Sequence, residues 1–169
     1  DTNVLLVANQ QHDDASPECV LNCAEKLLWV QLHGAVVIDD AYRIISEYRN
    51  KPDVNGARSG DIFLKWLLNN QTNVAHVHQV SINESTTDHF KEFPDQALQL
   101  SFDAADRKFP AVANAHQDKP PILQAADCKW LDWWPTLQAV GITVDFICPA
   151  DICGFYGNKF PNRPSPPLP

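Results

Sequence analysis

Short continuous apolar runs alternating with stretches of helical spacing constrain this chain more than any other feature. The runs are "AVVI" (35–38), "HVHQVSI" (76–82), "ILQAAD" (122–127) and "ITVDFICP" (142–149). A run that is apolar at successive positions suits a strand covered on both faces. Between the runs lie helical patterns. "SPECVLNCAEKLLWVQLHG" has Ser16 as cap, Pro17 in the first turn, Glu18 on the N-terminal dipole and Gly34 at the end. Its Val20, Cys23, Leu27 and Val30 form an apolar stripe. "DAYRIISEYRN", capped by Asp39 or Asp40, makes a second helix. "DIFLKWLLNN" makes a third, with Ile62, Trp66 and Leu67 as its apolar contacts. "TDHFKEF" suits a short helix ended by Pro94, "FDAADRKFPAVANAH" a helix interrupted at Pro110, and "KWLDWWPTLQAVG" a further helix. The alternation predicts an α/β domain, a mostly parallel central sheet with helices on both faces.

The chain has 169 residues, enough for one core. The domain is expected over 1–153, with a Pro-rich tail over 154–169. The end of that tail, "FPNRPSPPLP", has five prolines among its last nine residues and suits an extended segment. A net charge of −8 argues against a broad basic nucleic-acid footprint, although an acidic metal site also makes a chain acidic. No apolar run reaches the roughly 18–20 residues of a membrane span. No basic segment precedes the first apolar stretch as in a signal peptide, and the five cysteines are odd in number. A reducing cytoplasm with buried free thiols is the expectation. The sequons at Asn70 and Asn83 are then chance matches.

In parallel sheets, sites form beyond the carboxyl ends of strands. Asp1 heads the chain where a preceding strand would end. Glu47 lies on the helix after "AVVI". Asp106, with Asp103 one turn before it, opens the helix after "LQLSF", and Asp127 follows "ILQAA". Carboxylates converging at one edge repel unless a cation offsets them, and hard Mg²⁺ or Mn²⁺ prefers such oxygen donors. Two such ions roughly 3.5–4 Å apart are a recurring device for cutting phosphodiesters.

"DTNVL", "ISEY", "DAADRKFPAVANA" and "AADCKW", in this order over residues 1 to about 150, resemble the PIN domain, a family of metal-dependent ribonucleases. The resemblance implies a three-layer α/β/α fold with a central, mostly parallel sheet. It implies an endoribonuclease in which Asp1, Glu47, Asp106 and Asp127 are catalytic and hold one or two Mg²⁺ or Mn²⁺ ions, with Asp103 accessory. It also implies an apolar strand leading into Asp1, which these residues do not include. Asn3 matches the polar position of the opening motif. Arg49, Arg107, Lys108 and Lys129, with Lys51 and Arg58, lie close in sequence to the acids and would hold an RNA backbone. Many relatives are toxins with a cognate antitoxin, and many are homodimers. Pro110, which has no N–H to offer the Asp106 carbonyl, departs from the family pattern. It motivates the alternative of a catalytically degenerate RNA- or protein-binding module.

Plainer readings accompany these. Asp1 and Asp106 also suit helix caps, Asp127 a turn, and Glu47 an ion pair with Arg43 four residues before it. His76 and His78 share a strand face but lack a third ligand. Cys19, Cys23, Cys148 and Cys153 imitate a zinc set with imperfect spacing. Trp130, Trp133 and Trp134 could stack on bases, but core packing accounts for them more simply. A nucleotide-binding α/β protein of flavodoxin type is disfavoured, because no glycines cluster after a strand.

Overall fold

The computed structural model describes residues 1–169. In chain order its elements are α1 (Thr2–Ala8), α2 (Pro17–His33), β1 (Val36–Asp39), α3 (Arg43–Arg49), α4 (Ser59–Asn70), β2 (Val77–Val80), β3 (Glu84–Thr86), β4 (His89–Phe90), α5 (Gln96–Ser101), α6 (Lys108–Ala115), β5 (Ile122–Gln124), α7 (Trp130–Ala139), β6 (Val144–Phe146) and α8 (Pro149–Lys159). The expected α/β alternation is present. The sheet is divided: β1 pairs parallel with β2, and β5 pairs parallel with β6. Residues of both pairs, including Ile38, Val77, Ile122 and Val144, nevertheless belong to a single hydrophobic core.

Local chemistry explains the element boundaries. Ser16 caps α2 by accepting from the Cys19 amide at 3.1 Å. Its own N–H and hydroxyl both donate to Asp151 of α8, at 2.7 and 2.9 Å. Ser16→Ala removes the cap and the hydroxyl's bond to Asp151, and leaves the backbone N–H bond between the helices. A loss of about 1–2 kcal/mol is expected from the urea unfolding midpoint. Before α3 the capping acid is Asp39 rather than Asp40: its buried carboxylate accepts from the Arg43 and Ile44 amides at 2.8 and 3.0 Å. Gly141, between α7 and β6, has φ +84°, a left-handed conformation that glycine adopts without a Cβ clash.

Several expectations are corrected. "TDHFKEF" is not a helix: residues 84–90 form an antiparallel hairpin, β3 with β4. "LQLSF" does not close a strand, because its first four residues complete α5, which Asp95 caps by accepting from Ala97 and Leu98. On α4 the buried apolar side chains are Phe63, Leu64 and Leu67, whereas Ile62 is 49% exposed. Helix α8 runs to Lys159, so a domain boundary at 153/154 falls inside a helix. The Pro-rich end is tied down: Trp134 donates its indole N–H to the Pro167 carbonyl at 3.0 Å. Trp130 and Trp133 pack on Phe102 in the core, so neither offers a free stacking face.

The free-thiol expectation also fails in part. Cys19 and Cys148 form a disulfide that ties α2 to the start of α8. Cys23 stays a buried thiol, its Sγ 3.8 Å from that of Cys148, and burial pushes its pKa up to about 12. The sulfur cluster contains Cys19, Cys23 and Cys148 without Cys153. The disulfide removes two of the four thiolates that a zinc reading needs. No helix is long and apolar enough to cross a membrane.

Candidate metal centre

Asp106 owes its position to the late start of α6. Pro110 is the third residue of that helix, within the first turn, where an amide hydrogen has no helical acceptor in any case. The proline is therefore accommodated without a kink, and Asp103–Asp106 precede the helix as a single 3₁₀ turn, with Asp106 N–H donating to the Asp103 carbonyl at 3.0 Å. Asp127 sits in the turn between β5 and α7, where its carboxylate accepts from the Lys129 amide at 3.1 Å. These loops bring carboxylate oxygens of Asp103, Asp106 and Asp127 within 4.8 Å of one another.

Asp1 and Glu47 approach the same region. Asp1 caps α1 through the Asn3 amide at 2.8 Å, and its other oxygen accepts from the side-chain amide of Gln124 at 2.9 Å. Gln124 is fully buried, and its carbonyl oxygen accepts from the amides of Ala125 (2.8 Å) and Asp127 (3.3 Å). One glutamine thus links the Asp1 and Asp127 arms. Glu47 accepts from the Thr2 hydroxyl and forms an ion pair with Lys108. The expected pair with Arg43 does not form; Arg43 meets Asp39 and Glu84 instead. Gln124 and Thr2 were not singled out from the sequence. A glutamine at the end of an otherwise apolar strand was the available signal for the first, and adjacency to Asp1 for the second.

The electrostatics show crowding. Burial, and next the neighbouring Asp127 carboxylate, push Asp106 up to about 6; Glu47 and Asp103 add to the shift and Lys108 opposes it. Lys129 bonds to Asp103, and that bond first of all holds its ammonium above the ordinary lysine range. The basic residues divide by placement. Lys108 is buried beside Glu47 and also donates to the Ala105 carbonyl. Lys129 lies against Asp103 at the rim. Arg107 is buried, bonded to the Phe102 and Asp88 carbonyls and to the His89 ring, and is not free to meet a phosphate. Arg58 donates to the Asn9 carbonyl at 2.9 Å. Arg49 and Lys51 are exposed, and Asn3 is half-buried, its N–H held by Asp1.

The histidines lie elsewhere. His78 stacks on His116, with ring nitrogens 2.9 Å apart, and His76 meets the edge of Trp66.

No family model, curated protein or solved structure matches the chain. The grouped ligand candidates at the acidic centre are all carboxylates, a set that suits a hard, oxygen-seeking cation.

Proposed function

We propose that the chain is a Mg²⁺- or Mn²⁺-dependent endoribonuclease of PIN type, built on a three-layer α/β/α fold. The observation that carries this reading is the convergence of Asp103, Asp106 and Asp127 within 4.8 Å, with Asp106 pushed up to about 6 by burial and by its acidic neighbours. Three partly buried carboxylates are a poor arrangement by themselves and a good one around a cation. Asp106 and Asp127 would hold the ion, with Asp103 beside them, and Asp1 and Glu47 would complete the acidic wall. A bound divalent ion lowers the pKa of water and offsets charge on phosphoryl oxygens.

The chain's own residues have narrower tasks. Gln124 fixes the Asp1 carboxylate while bracing the loop that carries Asp127. Thr2 and Lys108 orient Glu47 from two sides. Lys129, partly exposed at the rim, is the cation best placed to meet a phosphate of RNA. Homodimer formation and an antitoxin partner belong to the same proposal and follow only from the family resemblance.

A specific observation favours the second reading, a degenerate RNA- or protein-binding module. Lys108 and Lys129 already neutralise Glu47 and Asp103 internally. Incubating the full chain with single-stranded and structured RNA, in Mn²⁺, Mg²⁺ or EDTA, separates the two. Metal-dependent cleavage is the expected result. Mn²⁺ at a hundredfold excess over Kd should also add about 2.7 kcal/mol of stability, roughly 5–10 °C in Tm. Cleavage that survives EDTA removes the metal mechanism. Absence of both cleavage and thermal shift overturns the nuclease reading and favours the binding module.

A further inference from the structure

Three buried sulfurs meet where α2 and α8 begin. Cys19 lies in the first turn of α2, Cys23 one turn further along the same face, and Cys148 is the residue from which α8 starts. They are 2%, 0% and 4% exposed, and their Sγ atoms lie within 4.8 Å of one another. A disulfide uses Cys19 and Cys148. The third sulfur is already at ligand spacing: Cys23 Sγ is 3.8 Å from Cys148 Sγ. Two thiolates bound tetrahedrally at about 2.3 Å from one zinc ion are about 3.8 Å apart. The surroundings suit thiolates, because two helix N-termini bring partial positive charge to the cluster, α2 at Cys19 and α8 at Cys148. Ser16 joins these helix starts independently of the disulfide, donating to Asp151 from its N–H and its hydroxyl. Cys19 and Cys148 also line an open groove of about 700 Å³, with Lys26, Trp29 and Asp151 among its other walls. Cys23 lies outside that lining, on the inner side of the cluster.

We propose that reduction of the Cys19–Cys148 disulfide opens a three-thiolate site for Zn²⁺, held by Cys19, Cys23 and Cys148 with water from the groove as fourth ligand. Sulfur donors select soft or borderline ions over the hard ions that suit the carboxylate centre. Zn²⁺ fits better than Cu⁺, because it leaves the buried site with one net negative charge where Cu⁺ leaves two. A dithiol reductant gives two electrons to the S–S bond and becomes a disulfide itself, and its two protons pass to the Cys19 and Cys148 sulfurs. Zn²⁺ then forms three Zn–S bonds and releases three protons, two from those thiols and one from Cys23. Disulfide and ion need the same two sulfurs, so each excludes the other, and the redox state of the pair decides whether the site exists. None of the three cysteines belongs to the acidic cluster, so the site is independent of the nuclease reading.

The test uses the full 169-residue chain, either oxidised or reduced by a dithiol and desalted without oxygen. Co²⁺ serves as the probe, because thiolate ligation gives near-ultraviolet charge-transfer bands that carboxylate ligation does not. The reduced chain is expected to show these bands at one Co²⁺ per chain and to lose them when Zn²⁺ is added. The oxidised chain, a control without any substitution, should show none. Zn²⁺ at a hundredfold excess over Kd should raise the Tm of the reduced chain by roughly 5–10 °C. Cys23→Ala should weaken Zn²⁺ binding by roughly a hundredfold or more, whereas Cys153→Ala should leave it unchanged. Equal bands in the oxidised chain, undiminished binding in Cys23→Ala, or loss of binding in Cys153→Ala each overturns the ligand set. Absence of bands in a reduced chain that keeps its far-ultraviolet circular dichroism overturns the site and leaves Cys23 as a packing thiol. A reduced chain that unfolds in the presence of Zn²⁺ overturns it equally. None of these readouts involves Mn²⁺ or RNA, so failure here and failure of the nuclease reading are distinguishable.

Discussion

Asp106→Asn is expected to abolish metal-dependent RNA cleavage while making the metal-free chain more stable. The two effects have one cause. Asp106 is partly buried, next to Asp127, and its carboxyl is pushed up to about 6. An acid whose folded pKa lies above its unfolded value costs stability once it is ionised. That cost is absent below the unfolded pKa of about 4 and is complete above about pH 6. At pH 7.5 the neutral amide removes the cost of burying the charge and the repulsion from Asp127. After discounting for partial solvent access, the gain should be on the order of 1–2 kcal/mol, about 3–6 °C in Tm. At pH 4 the wild-type carboxyl is already protonated and the difference should vanish. Cleavage should fall by roughly 10²–10³, the cost of losing a charged group aimed at the reacting centre. Saturating Mn²⁺ should reverse the stability order, because only the wild type retains the full carboxylate set. Thermal melts in EDTA and in Mn²⁺, at both pH values, read all of this. A less stable Asn variant in EDTA at pH 7.5 would mean that repulsion is not what Asp106 experiences.

The parts of the fold legible in the sequence share one property: their signal is local. "AVVI", "ILQAAD" and "ITVDFICP" are legible as strands because each carries a short apolar run between turn signals, and α2 announces itself through Ser16, Pro17 and Gly34. "TDHFKEF" has helical spacing yet lies in a hairpin, because the order there comes from distant groups. The Asn83 N–H and side-chain amide both bond to Glu92, and Gln99 exchanges hydrogen bonds with the Phe90 backbone, so pairing across the turn replaces helix. Ile62 was placed inside by its chemistry, but the facing surface of α4 is set by its contact with α1, where Gly60 lets the Asn9 side chain close on the helix. The disulfide required knowing that α2 and α8 begin side by side, 129 residues apart in sequence. Of the acids, only Asp127 is legible from its place after a strand, β5; Asp103 and Asp106 follow helix α5, so strand ends alone do not account for their meeting. The role of Lys108 as the partner of Glu47 is not legible either, because a basic residue in the first turn of a helix gives no sign that it folds inward.

Asp61 offers the opposite case to Asp106, a buried acid that the fold depends on. It is 4% exposed and accepts from the Asn9 side-chain amide at 2.7 Å, the Asp53 amide at 2.8 Å and the Arg58 amide at 3.3 Å. Asn9, 1% exposed, completes the loop by accepting from Gly60 and Asp61 amides at 2.8 and 3.2 Å. Here donors surround the carboxylate, where acids surround Asp106. Asp61→Ala leaves three N–H groups without their acceptor, one of them deeply buried. The expected loss is about 3–5 kcal/mol, a large share of the total for a domain of this size. Asp61→Asn keeps one acceptor oxygen and should cost about half as much. Gly60→Ala attacks the same junction sterically, since its Cβ would lie 2.4 Å from the Leu5 carbonyl oxygen. Because α1 follows directly from Asp1 and carries Thr2, loosening it against α4 also loosens one wall of the acidic cluster. Asp61→Ala should therefore lower the urea midpoint sharply and weaken Mn²⁺ binding by a smaller factor, although Asp61 touches no residue of that cluster. A double-mutant cycle with Asn9→Ala should show strong coupling, because either change alone dismantles the shared network. Additive losses would mean that Asn9 and Asp61 stabilise α1 and α4 separately.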